Sequence, residues 1–528
     1  MLHFLAIGLL AVTLSQSAGA VEPPRTTAEA TDYAQTSTYA DVVSFIDALA
    51  GHCELVTPAE FGRTHEDRAI PMMILADPAI ATAEEAMQSG KLRIFAFANI
   101  HAGEVCGKEA LLQLARDIAL SSDHPEMLQD IVLCIVPIYN ADGNERFDDV
   151  ANNRPGQVGP ERVGVRHNAQ DRDLNRDYVK LEAPETRALV RFLNQWDPHI
   201  TIDCHTTNGS VHRYTLTYSA PLNPSGPSEP IEFIRDLLLP KVGERLLERT
   251  GYDSFFYGNF NRDHTAWATY SAQPRFGCPY RGLRGQMSIL SEAYSYAPFK
   301  DRVIATLEFV REILKYAAQQ DDEIKAIHDR ARASVVAAGQ DPQPADVIGL
   351  RHQLAAGPGL VMLKGFAYES EPGRGVRPRP TEEHRDYPVV HLDRFVPTLS
   401  VARPHAYIIE PGHDNVIEKL RQHGIVVQPF EGEAEFEVYT IEAVQTARSR
   451  FEGHRIRSLE VRARQETLQA EQGSHMVSLA QPLGTLAAYL LEPQSEDGLA
   501  AWEFFNDEAI AEGARYPAWR VNRRDDLP

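Results

Sequence analysis

A chain of 528 residues with 43% hydrophobic and 24% charged residues has material for a large globular core and more than one domain. Its formal net charge of -22 argues against nucleic acid as a partner and against a polybasic membrane anchor, since both need clustered positive charge. Five cysteines, an odd and low count for so long a chain, do not describe a disulfide framework; buried free thiols are expected, with one bridge left open.

Residues 2–14 are apolar apart from His3, Gly8 and Thr13, and Ser17-Ala18-Gly19-Ala20 supplies small residues for cleavage. Residues 1–20 therefore read as a secretory signal peptide cut near Ala20, which predicts a secreted or periplasmic protein with no membrane anchor in its mature form. A polar leader follows over 21–38, rich in Thr and Ala, and then a helix over 40–50. Strands are predicted at 70–75 and 92–100. Leu111, Leu112, Leu114, Ala115 and Ile118 recur at helical spacing and predict a helix over 105–118. A buried strand follows at 131–138. Residues 152–172, rich in Asn, Arg, Gly and Pro, form a long loop of the kind that often carries function. An amphipathic stretch at 182–196, a strand at 199–204, a helix at 230–249 closed by Gly251, a strand at 287–290 and a helix at 305–316 complete the series.

Strands alternating with helices predict an α/β fold over 39–335, a mixed, mostly parallel sheet flanked by helices. The pattern changes near 340, where Gln340-Asp341-Pro342-Gln343-Pro344 suggests a linker at 336–345. Loops are marked at 371–375 and 377–380. Phe436, Val438 and Thr440, then Leu459 and Val461, alternate with polar residues, so 346–528 reads as a mainly β accessory domain. Its one clear helix, 415–423, is closed by Gly424.

His101-Ala102-Gly103-Glu104 carries the first chemical signal. A His and a Glu three apart, where a strand turns into a helix, can aim an imidazole nitrogen and a carboxylate at one metal ion. Catalytic zinc takes three protein ligands and leaves a place for water. His205, in Ile202-Asp203-Cys204-His205-Thr206-Thr207, and Glu292, in Ser291-Glu292-Ala293-Tyr294, also follow apolar, strand-like runs. All three can therefore converge on the carboxyl edge of an open α/β sheet, where such folds bind ligands. The long loop adds Arg154 and Arg166, and ends in Asp173-Leu174-Asn175-Arg176.

In this ordered set, spread over roughly 40–320, the chain resembles the zinc metallocarboxypeptidases of the carboxypeptidase A type, as a bacterial exported member. The resemblance implies one zinc ion held by His101, Glu104 and His205. It implies that Asp173 orients the first histidine, that Asn175 and Arg176 grip the terminal carboxylate of the substrate, and that Glu292 is the general base. The arginine that polarises the scissile carbonyl is Arg166 or Arg154, with Arg166 preferred. A tyrosine closing over the substrate is sought in Tyr280 or Tyr270. The expected partner is a peptide or acyl-amino-acid with a free carboxylate, and the expected activity is zinc-dependent release of C-terminal residues. A zinc-dependent deacylase or cell-wall peptide amidase is the alternative, and an inactive binding scaffold a third reading that the retained Glu292 disfavours. Arg275, Arg281 and Arg284, just before the Glu292 strand, suggest either acidic terminal residues as substrates or a solvated basic loop.

Overall fold

The structure is a computed structural model that describes residues 22–120, 127–369 and 379–527. The expected signal peptide and the loop at 371–375 lie outside the described residues, as do Arg377 and Pro378.

Eight strands form the central sheet: β1 (Val56–Arg63), β2 (Ala69–Leu75), β3 (Leu92–Ala98), β4 (Ile131–Val136), β5 (Ile200–Thr207), β6 (Leu216–Ser219), β7 (Ser254–Phe256) and β8 (Met287–Tyr294). Their order is β1-β2-β4-β3-β5-β8-β6-β7. The four central strands β4, β3, β5 and β8 are parallel, and antiparallel β1–β2 and β6 flank them. The mixed sheet matches the α/β expectation.

Helices cover both faces. On one side lie α1 (Tyr39–His52), α2 (Cys106–Leu120), α4 (Leu239–Thr250) and α5 (Phe299–Gln319); on the other lies α3 (Pro184–Trp196). Alternation along β3 sorts its side chains: Leu92, Ile94, Ala96 and Ala98 enter the core shared with α1 and α2, while Phe95 and Phe97 enter the core shared with α3. Burial of both faces is why these strands read as unbroken apolar runs. Local chemistry sets the ends. Thr38 and Asp41 form a reciprocal cap at the start of α1, and Gly251 (φ 77°) ends α4 in the left-handed region. The helix expected over 230–249 is three pieces: Ser228–Glu232, a wider turn over Phe233–Leu238, and α4. The wide turn abuts Pro240, which has no N–H to give to the carbonyl four residues back.

The expected linker at 336–345 is helical as far as Gln340, because α6 spans Asp321–Gln340. Its apolar stripe (Ile324, Ile327, Ala331, Val335) is thin and interrupted by His328. Beyond it the chain is mainly β. A long antiparallel hairpin, β9 (Gly432–Thr446) with β10 (Arg457–Ala470), belongs to a six-stranded sheet, and α7 (Asp414–Gln422) ends at Gly424, φ 88°. A second helix in this region, α8 (Gly484–Leu491), is buried along its whole length. Its sequence, apolar but for Thr485, shows no amphipathic period.

This C-terminal region does not stand apart. Tyr407, Ile409, Leu486 and Trp502 share one continuous core with Phe95, Phe97 and α3. The short strand Ala266–Ala268 pairs in parallel with Pro380–Leu392.

Candidate metal centre and substrate cleft

His101 and Glu104 sit in the turn from β3 into α2. Asn99 takes φ 66° there and donates its side-chain amide to the Ala102 carbonyl (3.2 Å). The Glu104 N–H donates to the His101 carbonyl at 2.8 Å, which folds the two side chains to one side. Gly103 is required by close approach: a Cβ would stand 2.6 Å from Arg154 Cγ. His205 and Glu292 are direct register partners on the parallel pair β5–β8, so they project side by side from the same face. Both strands run further than the sequence suggested, and the two residues lie within their last turns of pleat rather than after them.

His101, Glu104 and His205 are all buried and offer ligand atoms within 4.8 Å of one another. His101 Nδ1 lies 3.0 Å from Glu104 Oε1, and His205 Nδ1 lies 3.1 Å from Glu104 Oε2. Both rings thus turn their Nδ1 atoms to the centre and their Nε2 atoms outward. His101 Nε2 is 3.0 Å from Asp173 Oδ1. Two nitrogens and a carboxylate from three buried residues could hold one metal ion, and zinc accepts such donors with a fourth place left for water.

Charges crowd around this centre. Burial works against ionised Glu104, yet His101 and Arg154 hold its carboxyl well below the ordinary value. Burial likewise works against His205, and Asp203, Glu104 and Glu292 override it, so its imidazole is raised. Burial pushes the Glu292 carboxyl up to about 8, with His205 opposing and Glu104 adding to the rise. Glu292 Oε2 is buried without a hydrogen-bond partner. An orphaned carboxylate oxygen beside such a donor set fits a bound cation and its water.

The cleft holds about 250 Å³ and is lined by the three donors, Glu292, Arg154, Arg166, Asn175 and Arg176, so the structure brings these predicted residues together. Asn175 Oδ1 accepts from the Gly277 N–H (2.9 Å), leaving its NH₂ as a donor. The Arg176 guanidinium lies 4.0 Å over the Phe276 ring. The two loop arginines differ. Arg154 spends its guanidinium on Glu104 (3.0 Å), the Thr206 carbonyl (2.7 Å) and Gln157 (3.3 Å), and its side chain is 12% exposed. Arg166 is held from one side by Asp173 (2.7 and 3.0 Å) and stays 35% exposed.

Tyr280 is not brought to the cleft. Its ring is fully buried and its hydroxyl pairs with His423 Nδ1 at 2.7 Å, so it serves packing against α7. Tyr270 lines the cleft instead, stacked edge-on with Tyr257 (5.6 Å) and Phe276 (5.5 Å). Nor do the three arginines before β8 form an acid-binding pocket. Arg275 pairs with Asp497 (2.7 Å), Arg281 with Asp203 (3.0 Å), and Arg284 donates to Asn194 (2.7 Å) and the His423 carbonyl (3.0 Å). Sequence reasoning missed Tyr257, which had no motif to mark it, and Asp203, whose position two before His205 on a strand places both on one face. All five cysteines are free, and all but Cys53 are buried.

Residues 42–233 match the family model described as zinc carboxypeptidase; Glu292 lies beyond the matched segment. Among curated relatives, Carboxypeptidase 2 of Trichophyton rubrum is 22% identical over 487 residues, covering 87% of this chain and 81% of the relative. Its counterpart in Trichophyton tonsurans is 23% identical over the same length and coverage. Among solved structures, carboxypeptidase A from Helicoverpa armigera aligns with 54% of this chain and 74% of its own, at 15% identity and a TM-score of 0.41. By the match of residues 42–233 and the curated carboxypeptidases, the chain carries a segment of the zinc carboxypeptidase type and is a peptide hydrolase.

Proposed function

We propose that this cleft removes C-terminal residues from peptides, with one zinc ion held by His101, Glu104 and His205 and with Glu292 as general base. The observation that carries the reading is Glu292 itself: a half-buried carboxyl in register with His205 that lines the cleft with the three donors, its Oε2 shut off from solvent without a hydrogen-bond partner. Zinc, when bound, supplies Lewis acidity that lowers the pKa of a water toward about 7 and polarises a carbonyl.

The remaining work falls to the chain. Glu292 Oε2 takes a proton from the attacking water and returns it to the leaving amine. Arg166, anchored by Asp173 and with Nη1 3.8 Å from Glu104, brings charge to the oxygen of the scissile carbonyl as it becomes negative. Arg176 forks onto the terminal carboxylate of the substrate, assisted by the Asn175 amide. Its stacking on Phe276 limits how the guanidinium can swing, so the free end of the peptide sets which bond meets Glu292. Tyr257, Tyr270 and Phe276 wall the cleft and exclude water.

The test uses zinc-loaded protein and paired peptides with free or amidated C-termini. Wild type should cleave the free acid and spare the amide; equal cleavage of both would remove the carboxypeptidase reading. Glu292→Gln should bind zinc as wild type does and lose about 10²- to 10⁴-fold in rate, the usual contribution of a positioned base. An undiminished rate would take Glu292 out of the mechanism.

A further inference from the structure

The two histidines of the centre are backed in the same way. Behind His101 stands Asp173, and behind Asp173 stands Arg166 (2.7 Å). Behind His205, Nε2 lies 3.0 Å from Asp203 Oδ1, and Asp203 Oδ2 accepts from Arg281 Nη2 at 3.0 Å. Arg281 comes from the short helix Gly277–Leu283 and is tied at its other nitrogens to Ser288 Oγ (2.8 Å) and the Tyr178 hydroxyl (3.2 Å). Asp203 and Arg281 are both essentially sealed from solvent, at 1% and 0% exposure.

Burying two opposite charges costs several kcal/mol per ion and gives back little net stability compared with apolar packing. The pair therefore needs a reason beyond holding the fold. Geometry supplies one. Asp203 and His205 are two apart on β5, on one face, and the carboxylate meets the ring nitrogen that points away from the centre. Neither His205 Nε2 nor Asp203 Oδ1 has a well-aligned hydrogen-bond partner anywhere among the described residues. The 3.0 Å contact is the polar contact the structure gives those two atoms.

We propose that Asp203 is a positioning residue for His205. It accepts the Nε2 proton, so that Nδ1 keeps its lone pair toward the centre, and Arg281 fixes the carboxylate in place. The inference rests on the zinc reading above. Partners of this kind orient ligand rings, and losing one typically weakens metal affinity by about 10- to 100-fold.

The experiment measures zinc dissociation constants by chelator competition for wild type and Asp203→Asn, with melting temperatures of both metal-free proteins. The expected result is zinc binding weaker by about 10- to 100-fold in variant protein that is still folded at the assay temperature, with a lowered metal-free melting temperature because Arg281 loses its buried counter-charge; a purely structural role would lower the melting temperature and leave the affinity of the folded protein unchanged. Equal affinity in the variant would overturn the proposal. If Asp203→Asn fails to fold, nitrogen NMR of histidine-labelled wild type decides: zinc on His205 Nδ1 with a protonated, hydrogen-bonded Nε2 supports it, and ligation through Nε2 overturns it. Failure of wild type to bind zinc would instead refute the parent reading, and so is distinguishable.

Discussion

Asp497 offers the sharpest test of how the C-terminal region shapes the cleft. Its side chain is fully buried and accepts four donors: the Arg275 N–H (2.6 Å), Arg275 Nε (2.8 Å), Arg275 Nη2 (2.7 Å) and the Trp502 indole N–H (2.8 Å). Asp497→Ala would strand a guanidinium only 10% exposed, together with a backbone N–H and an indole N–H. Breaking a buried ion pair by removing one partner costs about 3–5 kcal/mol. Each orphaned neutral donor adds about 1–3 kcal/mol, less where water enters. Arg275 keeps its stacking on Trp502 (4.8 Å) and Phe451 (5.3 Å) in variant and wild type alike, so that contact leaves the difference unchanged. With water entering the space of the lost carboxylate to satisfy the two neutral donors, a net loss of about 4 kcal/mol remains from the ion pair, concentrated on the segment that carries Tyr270, Phe276 and Cys278 into the cleft. At about 1.4 kcal/mol per tenfold, amide exchange over 270–280 should quicken by roughly 10³-fold through local opening. KM should rise with it, since Phe276 supports Arg176. Asp497→Asn, which keeps an acceptor, should fall between. Exchange over 270–280 and KM both matching wild type would refute the view that this contact holds the cleft wall.

Two further outcomes are expected. Arg176→Lys loses the forked contact and the stacking on Phe276; one charge-assisted hydrogen bond is worth about 1.5–3 kcal/mol, so kcat/KM for free-acid peptides should fall about 10- to 100-fold, carried by KM. An unchanged KM would remove Arg176 as the anchor. The second concerns acid. His423 is fully buried between Tyr280 and the Val179 carbonyl, and burial, with Arg284 and Lys419 nearby, holds its imidazole down at about 3 against an ordinary value of 6.5. Below pH 6.5 the unfolded chain takes up a proton there that the folded chain refuses until about pH 3, so stability falls with falling pH by up to about 1.4 kcal/mol per unit. His423→Gln should show a pH slope of unfolding free energy shallower by one proton between pH 6 and 4; identical slopes would show that His423 is not held neutral.

The parts of the molecule legible in the sequence are those where local pattern and tertiary role coincide. β3, β4 and β5 are buried on both faces, so their apolar runs announce them, and the chemistry at their carboxyl ends (His101, Glu104, His205) inherits that clarity. The loop residues Asn175 and Arg176 were found because they stand in one short string with Asp173. What escaped depends on distant chain. Tyr280 sits near Glu292 in sequence, but the helix that carries it turns the ring toward His423 of α7. The three arginines before β8 resemble a basic pocket until Asp497, Asp203 and Asn194, from three other segments, are brought to them. α8 and α6 failed for opposite reasons: one is apolar all round, the other has too thin a stripe to show a period.

The site is thus built in two ways. Its catalytic edge is carried by the central sheet: His205 and Glu292 are locked side by side by ladder pairing, and His101 and Glu104 by a turn that begins on the adjacent strand β3. Its substrate side is carried by loops, and loops hold a shape only when something outside them does the holding. Here that something is the C-terminal region. Glu452, at the tip of the β9–β10 hairpin, accepts from the Asp173 N–H (3.3 Å), His454 pairs with Glu182 (2.9 Å) next to α3, and Asp497 clamps Arg275. None of these contacts exists until residues beyond 400 have folded onto the sheet, and the parallel pairing of Ala266–Ala268 with Pro380–Leu392 needs both parts of the chain at once. Hydrophobic burial makes the arrangement compulsory, because Phe95, Phe97 and α3 share their core with Tyr407, Leu486 and Trp502. The β-rich region therefore braces from behind the segments that line the cleft: it supplies none of the lining residues, but it holds Arg275 and the Asp173 N–H, beside Phe276 and Arg176.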